Sequence, residues 1–440
     1  MTEKLKGQQI RHLLRRAGFG FTPVEYLAYR DLEYEEAVER LLNFEGEDNS
    51  ALEALIESQN FDFTNGDDIK RWWLFRMLFT RRPLEEKLTL FWHGHFATSL
   101  KKVRNPYAMY VQNRLFRKLC MGDFGNLLLA VSKDPAMIVW LDNQQNRKGK
   151  PNENFAREIM ELFTLGIGHY SEADVKEAAR AFTGWQVKNG VFTFNKGAHD
   201  AGKKLFLAES GNFDGTQVIS ILSRHKQTGR FLAAKLLKFF LGANFDRALL
   251  KRVAGAYEVD RQIRPMLKTI FLSKAFLSRE NQFSLVKSPC QYVVGTLKHL
   301  QISTIDGDLP RLLSAMGQDL FAPPSVKGWD GGTAWLSSDT MMARFNFANR
   351  IIGEKFDALK KQGSLKDLLA EKGVDDPRTC VAYFLQLLVE GDVPPPVVKR
   401  LEDYLGKEPF LKGAEAKTLL DERLRGLLHL IMTLPSYQLV

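Results

Sequence analysis

Cysteine is scarce in this chain. Cys120, Cys290 and Cys380 are far apart and odd in number, which excludes a disulfide framework and the paired spacing of a zinc ribbon and fits a reducing compartment. No apolar run reaches the length that a bilayer-spanning helix needs. The common catalytic signatures are also missing: there is no G-x-x-x-x-G-K-[ST], no G-x-G-x-x-G after a strand, no H-E-x-x-H, no G-x-S-x-G and no EF-hand loop. The segment GIGHYSEAD has helix–loop–helix form but lacks the spaced Asp and Asn ligands of calcium. Arg15-Arg16 is a twin arginine, yet no apolar segment follows it and Glu25 stands where one would lie, so it does not read as an export signal. The chain is then cytoplasmic by default, with an exported form left open.

What is present describes a globular protein. Of 440 residues 45% are hydrophobic, ample for a core and too many for a disordered chain. The net charge is +10 and unevenly spread. Residues 44–68 are acidic, whereas Lys101, Lys102, Arg104, Arg114, Arg117, Lys118, Arg147, Lys148 and Lys150 make the following stretch basic. Such a patch suits an anionic polymer or surface, but solvated basic faces are commoner, and nucleic acid is the weakest of these partners.

Helical periodicity dominates. Thr22-Pro23 is a cap followed by a first-turn proline. Leu84, Leu88, Phe91 and His95 share one helical face. Period two appears once: Trp185-Gln186-Val187, then Asn189-Gly190, then Val191 to Phe194, a hairpin signal to which Lys204–Leu207 would add a third strand. Helices resume from Thr216, interrupted by the Gly-, Pro- and Trp-rich loop 323–338, which two tryptophans should pack down, and end in a last group over 364–432. The expected fold is mainly α: one large multi-helical domain over 1–352, with a small antiparallel hairpin or three-stranded sheet inserted near 185–207. A C-terminal helical subdomain, 353–440, packs on it.

Polar residues concentrate between Pro151 and Trp185. Asn154, Arg157, Glu158 and Glu161 fall at i, i+3, i+4 and i+7, on one helix face, with Phe155, Ile159, Leu162 and Phe163 opposite. Gly166 and Gly168 end that helix, and Ser171 with Asp174 caps the next. Paired carboxylates such as Glu158 and Glu161 hold a cation or divide acid and base roles; alternatively Arg157 neutralises both. His199-Asp200 with Lys203 follows the hairpin and would supply a base or a metal ligand with a cation beside it. His93 and His95 would share a divalent metal only if Gly94 opened the backbone, because on a regular helix they lie about 200° apart. Trp185, Trp329 and Trp335 suit either a stacking platform or the core.

Longer matches accompany these residues. HLLRRAGFGFTP, FWHGHFATS, PNENFAREIMELFTLGIGHYSEADVKEAARAFTGW, HDAGKK, VKSP and PPSVKGWDGGTAWL resemble the successive motifs of the bacterial family called domain of unknown function 1800. The resemblance implies a largely helical protein with no established activity. It also implies a partner resembling sulfatases and alkaline phosphatases, encoded nearby. The motif positions here are His93, His95, Asn152, Glu153, Asn154, Arg157, Glu158, Glu161, Arg180, Trp185, His199, Asp200 and Lys203. Gly94 departs from the family's usual Asn, and Ala208-Glu209 stand where a glycine is more usual.

Two functions lead at this stage, with binding of an anionic polymer as a weaker third. One is a hydrolase-like, acid–base or metal-assisted enzyme, with His199, Asp200, Glu158, Glu161, Arg157 and Lys203 as its machinery and Asn154, Arg180 and Trp185 holding the ligand. The other is a non-catalytic accessory protein, in which the same residues form a buried polar network.

Overall fold

Helices in this protein start where a short polar side chain accepts the free N–H groups of a first turn. Thr22 Oγ1 accepts from Glu25 N, the Glu25 carboxylate accepts from Thr22 N at 2.6 Å, and Pro23 presets the first helical φ. Ser171 with Asp174 and Asp214 with Gln217 repeat the device at the helices Glu172–Ala181 and Gly215–Arg224. The computed structural model describes residues 3–303, 305, 307–360, 369, 374, 376–389, 393–406 and 414–440. In them the chain is mainly α, with two small antiparallel sheets. Among the described residues no helix is long and apolar enough to cross a membrane.

Packing divides the chain into two units. One comprises Met1–Leu32, Ser278–Gln318 and Gly331–Val440; the other comprises Glu33–Leu277 and Asp319–Asp330. The expected boundary at 352/353 falls inside the helix Ser338–Lys360 of the first unit. Of the last helical group, Pro377–Leu388, Pro395–Leu405 and Ala414–Thr433 are described, while 364–368, 370–373, 375, 390–392 and 407–413 lie outside the described residues. In that first unit the chain end pairs with the residues before the helix Pro289–His299: Lys287 N donates to Gln438 O at 2.8 Å and Val440 N to Leu285 O at 2.8 Å.

The second unit holds both sheets. Strands β1 (Trp185–Lys188) and β2 (Val191–Phe194) join through Asn189 and Gly190, both at positive φ, as a two-residue hairpin turn demands. Lys204–Phe206 is a strand, β3, but it does not extend that sheet. It pairs with β4 (Glu209–Gly211) because Leu207 and Ala208, at φ +47° and +66°, turn the chain straight back. Leu207 N donates to Asp174 Oδ1 at 2.8 Å, which fastens this turn to the Glu172–Ala181 helix and holds Ala208 where glycine would be relaxed.

Three helices of this unit, Gly66–Phe79, Pro83–His95 and Pro106–Leu119, meet around one carboxylate. Glu86 is fully buried. It accepts from Arg117 Nε and an Arg117 terminal nitrogen at 2.6 and 2.8 Å, from Arg76 Nε at 3.0 Å and from Trp73 Nε1 at 3.0 Å. Burial alone would raise its pKa, but the charges and hydrogen bonds of Arg117 and Arg76 outweigh that and bring it down to about 2. A folded-state pKa below the unfolded value of about 4.5 contributes stability above pH 4.5, lost as pH falls toward 2. We expect Glu86→Gln to cost about 3–5 kcal/mol at pH 7, because it leaves the buried Arg117 guanidinium without a carboxylate among the described residues and Arg76 with Glu53 alone. In denaturant unfolding the gap between variant and wild type should narrow between pH 4.5 and 2; a gap constant over that window would remove the ion cluster as its cause.

Candidate functional site

The helix Asn154–Glu161 forms as its periodicity predicts, with Phe155, Ile159 and Phe163 buried and Leu162 half-buried. On its polar face Arg157 is engaged. It donates to both carboxylate oxygens of Glu172 at 2.7 and 2.8 Å and to Glu153 at 3.3 Å, and its pKa is raised by those partners, Glu172 foremost. Asn154 turns back to the preceding loop, its Nδ2 donating to Leu141 O at 3.2 Å. Glu161 accepts from the Tyr170 hydroxyl at 2.9 Å. Glu158 differs: among the described residues nothing hydrogen-bonds its carboxylate. Its pKa is raised by burial first and by the Glu161 charge second, against weaker opposing pulls from Arg157 and Lys327.

The loop after the first hairpin is held separately. Arg180 Nε donates to Asp200 Oδ2 at 2.8 Å, and its terminal nitrogens reach Asp200 Oδ1, both Glu177 oxygens and the Lys203 carbonyl. The Arg180 hydrogen bonds carry the Asp200 carboxyl down to about 2. The neighbouring His199 does not touch that carboxylate; its Nδ1 lies 2.9 Å from the Thr183 carbonyl and donates to it. Lys203 is exposed. The next residue, Lys204, is buried and donates to the carbonyls of Asp200 and Gly202 at 2.5 and 3.0 Å. Trp185 is buried between Phe182 and Phe192, with Lys133 Nζ 5.3 Å from its ring centroid, so its indole belongs to the core.

His93 and His95 are also core residues, on a helix regular through Gly94. The His93 ring lies among Trp73, Phe321 and Trp329, with centroids 5.4, 5.5 and 5.5 Å away, and burial lowers its pKa to about 3. His95 Nε2 sits 3.1 Å from Phe163 O among Phe91, Trp92 and Phe96. The two rings have different surroundings. Among the described residues no group of three or more His, Cys, Asp or Glu gathers as metal ligands.

Arg157 is tied to Glu172 at the start of the Glu172–Ala181 helix, and the His199–Lys203 loop to Glu177 and Arg180, roughly 8 and 12 Å further along its axis. Sequence reasoning also missed partners. Lys327 belongs electrostatically to Glu158 although 169 positions away, and Tyr170 and Thr183 supply polar contacts to Glu161 and His199. The one signal for Lys327 was its place in a loop with tryptophans, which packs down as expected: Trp329 lies over His93, and Gly328 rests against Gly94.

That contact fixes Lys327 and has a test. A Cβ on Gly328, whose φ is +82°, would run into the Gly94 carbonyl oxygen, whereas one on Gly94 would meet only Trp329 at an ordinary 3.8 Å. Gly328→Ala should cost about 2 kcal/mol or more. Gly94→Ala should be neutral or stabilising by up to about 1 kcal/mol, as alanine is in a helix. Equal losses in denaturant unfolding would contradict this packing.

Neither a curated protein nor a solved structure matches the chain. The model of a family described as protein of unknown function, DUF1800, matches residues 12–439, nearly the whole chain. The chain belongs to the DUF1800 family.

Proposed function

We propose that the working site is the Glu158–Glu161 face with Lys327, and that Glu158 exchanges the proton in a hydrolase-like, acid–base reaction. The observation that supports this most is the Glu158 carboxyl itself: half-buried, free of hydrogen bonds among the described residues, and raised in pKa by burial and by Glu161. A carboxyl shifted upward stays protonated to higher pH than an ordinary glutamate, which suits a proton donor. Glu161, with its Tyr170 hydrogen bond, is the charged neighbour that maintains the shift. Lys327 and Arg157 would draw in an anionic substrate and offset charge that develops on it.

A second reading has its own support. The Arg180–Asp200–Glu177 group and Lys204 are fully occupied with one another, as in a polar network that orders a fold. On that reading the chain is a non-catalytic accessory, and the partner implied by the family resemblance is a sulfatase- or phosphatase-like enzyme.

Purified protein assayed with nitrophenyl phosphate, sulfate, acetate and glycosides separates the two. The enzyme reading expects turnover by the wild type and a loss of about 10²–10⁴-fold in Glu158→Gln at unchanged melting temperature. Turnover that survives in Glu158→Gln, or no turnover of any of these compounds, counts against it. The network reading expects Asp200→Asn to lower the melting temperature, since it cuts the Arg180 pair, and to leave any turnover intact.

A further inference from the structure

In the unit formed by Met1–Leu32, Ser278–Gln318 and Gly331–Val440, two buried cations, Lys287 and Arg344, have no carboxylate partner among the described residues. Lys287 is 7% exposed, and its Nζ lies 3.8 Å from the centroid of the Tyr437 ring, with no carboxylate beside it among the described residues. Arg344 is wholly buried. Its partners are neutral: the Lys287 carbonyl at 2.7 Å, Gln438 Oε1 at 3.2 Å and the face of Tyr292, while Nε has no partner. Tyr292 and Tyr437 meet edge to face at 5.5 Å, so the two cations flank one aromatic pair. The Tyr437 hydroxyl lies 2.6 Å from Thr296 Oγ1, one turn before His299, a buried imidazole in which neither nitrogen has a partner. Arg15 stands over Phe21, whose ring also faces His299 at 5.2 Å. The carboxylate recorded near this group, Glu25, is taken by Lys298 at 2.6 Å.

Unbalanced buried cations are costly, and a fold retains them where a counter-charge arrives from outside. Positions of Arg15 and Phe21 in HLLRRAGFGFTP, and of Lys287 in VKSP, put two sequence motifs here that the Glu158 site does not use. We propose that this group, centred on Lys287 between Arg344 on one side and Arg15 with His299 on the other, binds a small tetrahedral oxyanion, phosphate or sulfate. The guanidinium nitrogen of Arg344 and the imidazole of His299 supply the unused donors, and Lys287 supplies the point charge. Burial first, and then repulsion from Arg15 and Arg344, lowers the Lys287 pKa well below that of a free lysine; an anion would oppose that repulsion.

The test is calorimetric titration of the full chain with inorganic phosphate and with sulfate, against sodium chloride at matched ionic strength, beside thermal melts. Expected are saturable binding of at least one oxyanion, a rise in melting temperature that chloride does not reproduce, and at least tenfold weaker binding in Lys287→Met. Without oxyanion that variant should melt at or above the wild type, since it removes a buried cation of similar shape. Lys287→Arg, which keeps the charge, should retain binding. The proposal is overturned if the wild type binds neither anion saturably, or if a folded Lys287→Met binds with wild-type affinity.

Discussion

A buried carboxylate between two guanidinium groups governs the larger unit. Glu86 has no access to water, so its charge persists only because Arg76 and Arg117 each reach it and Trp73 takes a remaining lone-pair position. Arginine suits this task better than lysine: a planar fork spans both carboxylate oxygens, and its charge does not titrate away. Since the four residues sit on three helices, satisfying the charge also sets how those helices lie. Trp73 then carries the constraint onward, because its ring meets His93, about two helix turns beyond Glu86. His93 packs on Trp329, Gly94 receives Gly328, and Lys327 is delivered toward Glu158. A site residue is thus placed by a cluster it never touches.

Local chemistry was legible in the sequence, and long-range chemistry was not. The Thr22-Pro23 start, the Ser171–Asp174 box, the Asn189-Gly190 turn and the polar face of Asn154–Glu161 all depend on residues within a few positions of one another, and all are present. Glu85-Glu86-Lys87 has the look of a solvated helix surface, yet all three side chains are buried. Nothing local distinguishes them, because the groups that neutralise Glu86 lie 10 and 31 positions away. Adjacency misled in the opposite way at His199-Asp200. The two side chains leave an extended backbone in different directions, one to the Thr183 carbonyl and the other to Arg180. For β3, strand propensity was readable, but its partner was decided by positive φ at Leu207 and Ala208, which the sequence of a leucine and an alanine does not announce.

The two units treat buried charge in contrasting ways, and the contrast separates structure from function. Around Glu86 the donors and acceptors close on one another, and any added ligand would have to break an existing bond. Such a group can only order the fold. The same holds for Arg180 with Asp200 and Glu177. At Lys287 and Arg344 the partners are carbonyls, an amide and aromatic faces, which orient a cation without neutralising it. Glu158 is the anionic counterpart: a carboxyl raised rather than lowered, with a second carboxylate beside it. Where a buried charge lacks an opposite charge, the missing partner is best sought among the molecules the protein binds. The physical criterion is the sign of the residual charge, which selects an anion at Lys287 and a proton or an electropositive group at Glu158.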